Sequence, residues 1–166
     1  MISPPFAQND TTIIAFLKQL DHWVSTTKGS PTARVALAGE LKEWGWNARG
    51  WGYSQTVSPE QWALFEDRLK QSWKQVDYII RQTNTCPYAF ELGLQIGRGL
   101  SWDRQKFSEF FLKAIARYPD YDRLYNEMYE YLQPKWFGAP GDTYQFLNTF
   151  ATNTVDPRAP LIYAKL

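Results

Sequence analysis

Apolar residues recur at three- and four-residue steps along most of this chain, the period of a helix with one buried face. Ile13, Phe16, Leu17, Leu20, Trp23 and Val24 form the first such set and predict a helix to about Thr26, capped by Asn9 or Asp10. Lys28-Gly29-Ser30-Pro31 marks the next boundary. Glycine suits the left-handed position after a helix, serine caps the following one, and proline fits its first turn. A second helix runs to about Trp46–Ala48, with Val35, Ala38, Leu41 and Trp44 on one side. Ser58-Pro59-Glu60-Gln61 has the spacing of a capping box and opens a long third helix to about Gln82. Trp62, Phe65, Leu69, Trp73, Val76 and Ile80 mark its buried face.

The same pattern continues downstream. A fourth helix spans about Pro87 to Ile96 and is broken by Gly97-Arg98-Gly99. Ser101 or Asp103 caps a fifth, with Phe107, Phe110, Phe111, Ala114 and Ile115 on its core side. A sixth carries Leu124, Tyr125, Met128, Tyr129 and Leu132 and stops before Pro134. Asp142 and Gln145 have capping-box spacing and start a seventh, with Phe146, Leu147 and Phe150 turned inward. Residues 1–9 read as an extended arm and residues 152–166 as an irregular tail. No segment alternates with period two between hairpin turns, so no sheet is expected.

The expected fold is therefore all-α, with about seven helices in one domain over residues 10–151. The helices pair by length, and Pro87 and Pro119 open successive pairs about 32 residues apart, close to a tetratricopeptide period. Phe110-Phe111-Leu-Lys-Ala114-Ile115-Ala-Arg-Tyr118-Pro119 has the small residue and closing proline of the second helix of such a unit. Stacked antiparallel pairs in a tetratricopeptide-like α-solenoid follow, because one pair cannot bury its apolar face alone.

Four ordered blocks resemble a bacterial family of domains of unknown function, number 4034. They are Trp46-Asn-Ala48-Arg49-Gly50; Val57-Ser-Pro59-Glu60-Gln-Trp62-Ala-Leu-Phe65-Glu-Asp-Arg68-Leu69; Phe110 to Tyr121; and Tyr131-Leu132-Gln-Pro134-Lys135-Trp136-Phe-Gly138. The likeness spans about Arg34 to Ala151. It departs at Phe137, where the family pattern has a glycine. The resemblance implies a tetratricopeptide-like helical fold and carries no reaction or catalytic residues.

Composition narrows the function. The formal charge is +1, from 18 Lys+Arg against 17 Asp+Glu, so no basic footprint for nucleic acid is present. The longest apolar runs fall well short of the ~18 residues needed to span a bilayer. The N-terminus lacks the basic and apolar regions of a signal peptide. With a single cysteine, Cys86, no internal disulfide framework is possible, and a cytoplasmic location is expected. Asn9-Asp10-Thr11 matches a glycosylation acceptor, a triplet that is frequent by chance. No cofactor or metal site is expected: His22 stands alone, and Asp120, Asp122 and Glu127 do not match a calcium loop. Cys86 before Pro87 reads as an inert thiol, and Gly97-Arg98-Gly99 lacks phosphate-loop spacing.

Eight tryptophans are the compositional outlier, and three fall in Trp44-Gly-Trp46-Asn-Ala-Arg49-Gly-Trp51-Gly. Two accounts compete there. Trp46 and Trp51 could be stacking platforms with Arg49 pairing an anion. Alternatively, the segment is a helix end whose tryptophans plug the gap between helices while Arg49 bonds helix-end carbonyls or a carboxylate such as Glu40 or Glu66; position favours this account. Trp136, in Gln133–Gly138, is a further candidate binding residue, weighed against a structural turn, which its setting favours.

Tyr118, Tyr121, Tyr125 and Tyr129 repeat at three and four on the sixth helix. They form either core packing or a partner-facing groove, since tyrosine is enriched at interfaces. The expected function is a non-catalytic protein- or peptide-binding module with Tyr121, Tyr125, Tyr129 and Arg49 or Arg98 as anchors. The alternative is a small-ligand binder or hydrolase built on Trp46, Arg49 and Trp51 with Glu40 or Glu43. A third possibility is a segment of a larger solenoid.

Overall fold

The computed structural model describes residues 10–27, 30–82 and 85–151. The expected arm, tail and cap at Asn9 or Asp10, the Lys28-Gly29 stop and the side chain of Phe150 lie outside what is described. The described residues are all-helical: α1 Asp10–Thr26, α2 Pro31–Arg49, α3 Pro59–Ile80, α4 Pro87–Gly99, α5 Arg104–Arg117, α6 Asp122–Tyr131 and α7 Asp142–Ala151, with one 3-10 turn at Ser54–Thr56. The chain divides into two compact units, residues 1–100 and 101–166.

In the first unit α2 is central: α1, α3 and α4 all pack on it, and α3 also packs on α4. The short connection from α1 to α2 makes these helices antiparallel neighbours. Leu17, Leu20 and Val24 of α1 meet Ala33, Leu37 and Leu41 of α2 in a continuous apolar cluster. Each leucine or valine among them, fully buried, contributes roughly 1.5–3 kcal/mol.

The α2–α3 register is fixed by three polar contacts. Arg68 Nη1 donates to the Trp44 carbonyl at 2.8 Å, Ser72 Oγ to the Ala38 carbonyl at 2.6 Å, and Arg34 Nη1 to Gln75 Oε1 at 2.6 Å. Numbering falls on α2 as it rises on α3, so the pair is antiparallel.

The predicted start of α3 is built as a capping box. The Gln61 amide N–H donates to Ser58 Oγ, and the Ser58 N–H donates to Gln61 Oε1. Gln61 also donates from Nε2 to the Ala48 carbonyl at 3.2 Å. One side chain thus closes the start of α3 and the end of α2, both of which leave backbone groups without intrahelical partners.

Two expectations are corrected. Gly97 does not break α4, which runs through it and ends at Gly99. A Cβ on Gly99 would lie 2.5 Å from Leu69 Cδ1 and 3.2 Å from Phe65, so this glycine allows α4 to approach α3 closely. Asp142 does not cap α7 through Gln145. Its carboxylate instead accepts from the Ala139 N–H and from Arg104 Nη1, each at 2.7 Å, and so ties the start of α7 to the start of α5.

In the second unit Phe107 of α5 stacks on Tyr131 of α6 at 3.9 Å, and Phe137 covers the other part of that ring at 4.9 Å. Tyr131 Oη donates to the Trp102 carbonyl at 2.8 Å. Burial first, and then Asp103, push the Tyr131 phenol above its ordinary pKa, which keeps it a donor. Asp103 caps α5 by accepting from the Lys106 N–H at 2.8 Å.

Candidate functional site

The Trp44–Gly52 block splits into two parts with different surroundings. Trp46 is half-buried and meets Phe65 edge-on at 4.7 Å. Arg49 holds its guanidinium between Trp46 at 5.5 Å and Trp62 at 5.1 Å, and donates to the Gly50 and Gly52 carbonyls at 3.0 and 3.3 Å. Gly50 takes φ of +75°, a left-handed conformation that glycine tolerates best, and its N–H donates to the Trp46 carbonyl. Trp46 and Arg49 are therefore parts of the α2–α3 junction.

Trp51 is different. It is 83% exposed, so it does not plug the gap between helices. Tyr53 next to it is equally open. The carboxylates proposed to work with Arg49 are also engaged or placed otherwise. Glu66 pairs with Lys70 and Glu43 with Lys42. Burial, and then the neighbouring Glu43, raise the Glu40 carboxyl above its ordinary pKa.

Of the tyrosine stripe, Tyr125 is the member that is buried. Tyr125 is 3% exposed, meets Phe111 edge-on at 5.7 Å, and donates to the Pro119 carbonyl at 3.1 Å. It belongs to the core and offers no face to a partner. Tyr121 and Tyr129 are half-buried. Arg98 is half-buried in the last turn of α4. Trp136 is half-buried in a turn closed by its N–H to the Gln133 carbonyl. His22 and Cys86 are exposed. Among the described residues, no cluster of histidine, cysteine or carboxylate side chains could hold a metal ion. Nor is any described helix long and apolar enough to cross a membrane.

The open concavity of the first unit lies elsewhere, over α2 and between α1 and α3. It is a groove of about 680 Å³. Leu17, Leu37, Leu41 and Trp44 line its floor, Ile14, Lys18 and Asp21 one wall, and Asp67, Gln71, Lys74 and Gln75 the other. Arg68 stacks on Trp44 at 3.5 Å and fixes that indole at one end. Sequence periodicity did not point to it. Its signal is a second stripe at positions 14, 18 and 21 of α1, beside the core stripe, matched by positions 67, 71 and 74 of α3.

No family model, curated protein or solved structure matches this chain.

Proposed function

We propose that this chain is a non-catalytic helical module that binds a protein or peptide partner, working in the cytoplasm. The observation that carries this reading is the α1–α2–α3 groove, an apolar floor between polar walls on elements whose register is pinned by buried hydrogen bonds. Pre-formed concavities on rigid helices are where such modules bind, because little ordering entropy remains to be spent on association. The anchors move from the tyrosine stripe to the groove. The antiparallel α2–α3 pair supports a repeat-type, tetratricopeptide-like arrangement. The ligand-binding or hydrolase alternative loses support, because Arg49 already serves two loop carbonyls.

The test is affinity capture on the full immobilised chain, with an Ile14→Glu variant in parallel. Ile14 is more than a third exposed, so a charge there alters the groove wall without opening the core. A protein retained by the native chain and lost by the variant supports the reading. Equal retention, or none, contradicts it.

A larger solenoid is a second reading. It is favoured by Phe16 and Trp23 on α1, which are 46% and 40% exposed along one edge.

A further inference from the structure

From the groove we infer its occupant: an amphipathic helix of a partner protein, about two turns long in the contact, with an acid and a base on each flank of its apolar face. This rests on the binding-module reading above and assigns that module's site and partner chemistry.

Length comes first. The lining residues run from Ile14 to Asp21 on α1 and from Asp67 to Gln75 on α3. At 1.5 Å per residue these walls are about 11 and 12 Å long, two helical turns. An occupant of that length presents three apolar positions, at i, i+3 or i+4, and i+7, to Leu17, Leu37, Leu41 and Trp44.

Backbone chemistry selects a helix. The floor is apolar, and an extended segment laid on it would turn peptide N–H and C=O groups toward surfaces that cannot pair them. The described residues contain no strand whose edge could do so. A helix satisfies its own backbone. Both walls are helices packed on or beside α2, so a third helix laid over α2 meets them as helices ordinarily meet, about 8–10 Å apart between axes.

Charge selects the flanks. The lining carries one acid and one base on each wall, Lys18 and Asp21 on α1 and Asp67 and Lys74 on α3, all four exposed. Asp67 accepts from Gln71 Nε2 at 2.7 Å and keeps its charge, because that donor is a neutral amide. Lys18 and Lys74 have no side-chain partner among the described residues. An occupant with an acid and a base on each flank of its apolar face complements both walls.

The experiment is selection of a displayed library of three-turn helical peptides on the full chain. The peptides are apolar at i, i+3, i+4 and i+7 and randomised at the flanks. The expected result is enrichment of Asp and Glu at the flank positions facing Lys18 and Lys74, and of Lys and Arg at those facing Asp21 and Asp67. Binding should be at least about tenfold weaker to the Lys18→Glu/Lys74→Glu variant, and unchanged for Trp51→Ala. Amide shifts on titration should fall on α1 and α3 residues of the walls. Both lysines are exposed, and a matching thermal melt shows that the double variant is folded. Ile14→Glu supplies a second, independent wall variant. Equal affinity for the double variant, flanks of one uniform charge, or shifts centred on Trp51 and Tyr53 overturn the assignment while leaving a binding module elsewhere on the chain. Binding of a fluorescent fatty acid with no peptide enriched overturns the helix. If no peptide is enriched and no protein is captured, both the groove and the module fall.

Discussion

The guanidinium of Arg68 lies 3.5 Å from the centre of the Trp44 ring, and its Nη1 donates to the Trp44 carbonyl oxygen at 2.8 Å. Arg68 is 7% exposed, so its charge is almost fully removed from bulk water. Both contacts fall on one residue of α2. They hold the indole in place at the end of the groove and fix the register of α3. Arg68→Ala should cost about 2–4 kcal/mol, from the charged hydrogen bond and the stacking together. Arg68→Lys should recover only part, because an ammonium cannot stack as a plane. Urea unfolding measures this, and an unchanged midpoint for Arg68→Ala would sink the assignment.

The two indoles of the tryptophan block should separate by stability. Trp46 packs on Phe65 and beneath Arg49, whereas Trp51 stands in solvent. Trp46→Ala should cost about 2–3 kcal/mol, and Trp51→Ala should stay within about 0.5 kcal/mol. Thermal melts of the two variants decide between a junction and a plug. Equal losses would contradict the division.

Two glycines predict opposite signs. A Cβ on Gly138 would overlap the Leu132 carbonyl oxygen, where the chain folds back after α6. Gly138→Ala should destabilise by about 3 kcal/mol. Gly39 lies inside α2, and an added Cβ would meet only the Tyr88 hydroxyl, at an ordinary 3.9 Å. Gly39→Ala should stabilise by about 0.5–1 kcal/mol through helix propensity. Denaturant midpoints shifting in the same direction would refute this contrast.

Stability should depend on pH through Asp142. The Arg104 hydrogen bond, and then the Ala139 N–H, lower its carboxyl below the ordinary range. A depressed folded pKa means the unfolded chain binds the proton first. The contribution is therefore full above the unfolded pKa of about 3.9 and is lost as pH falls through the lower folded value. Asp142→Asn should remove that part of the acid dependence. The difference in unfolding midpoint between native and variant should shrink as pH drops below about 4. A constant difference from pH 7 to 2 would show that the pair does not titrate this way.

Much of the helical framework was legible because caps are local. Ser30-Pro31, Ser58 to Gln61 and Asp103 each act on backbone groups within one turn, and all three are formed as their spacing implies. The misreadings share a cause, since each residue type involved has a local use and a long-range one. Gly97 and Gly99 looked like a break but lie in α4, with Gly99 packed closely on α3. Asp142 looked like a cap but answers Arg104, 38 positions away. Tyr125 looked amphipathic enough for a surface, yet its hydroxyl is satisfied by the Pro119 carbonyl, and that lets the ring enter the core. The groove was the least legible feature. Its walls come from α1 and α3, and nothing in either helix alone says that both flank α2.

A charge exchange across the groove tests the central claim most directly. The affinity of a selected helical peptide with an acid facing Lys74 is measured for the native chain, for Lys74→Glu, and for Lys74→Glu with that acid changed to lysine. Binding should weaken with the first change and return with the second, because the attraction is restored with its sign reversed. If the exchanged pair binds no better than the single variant, Lys74 does not face the occupant and the groove is not its site.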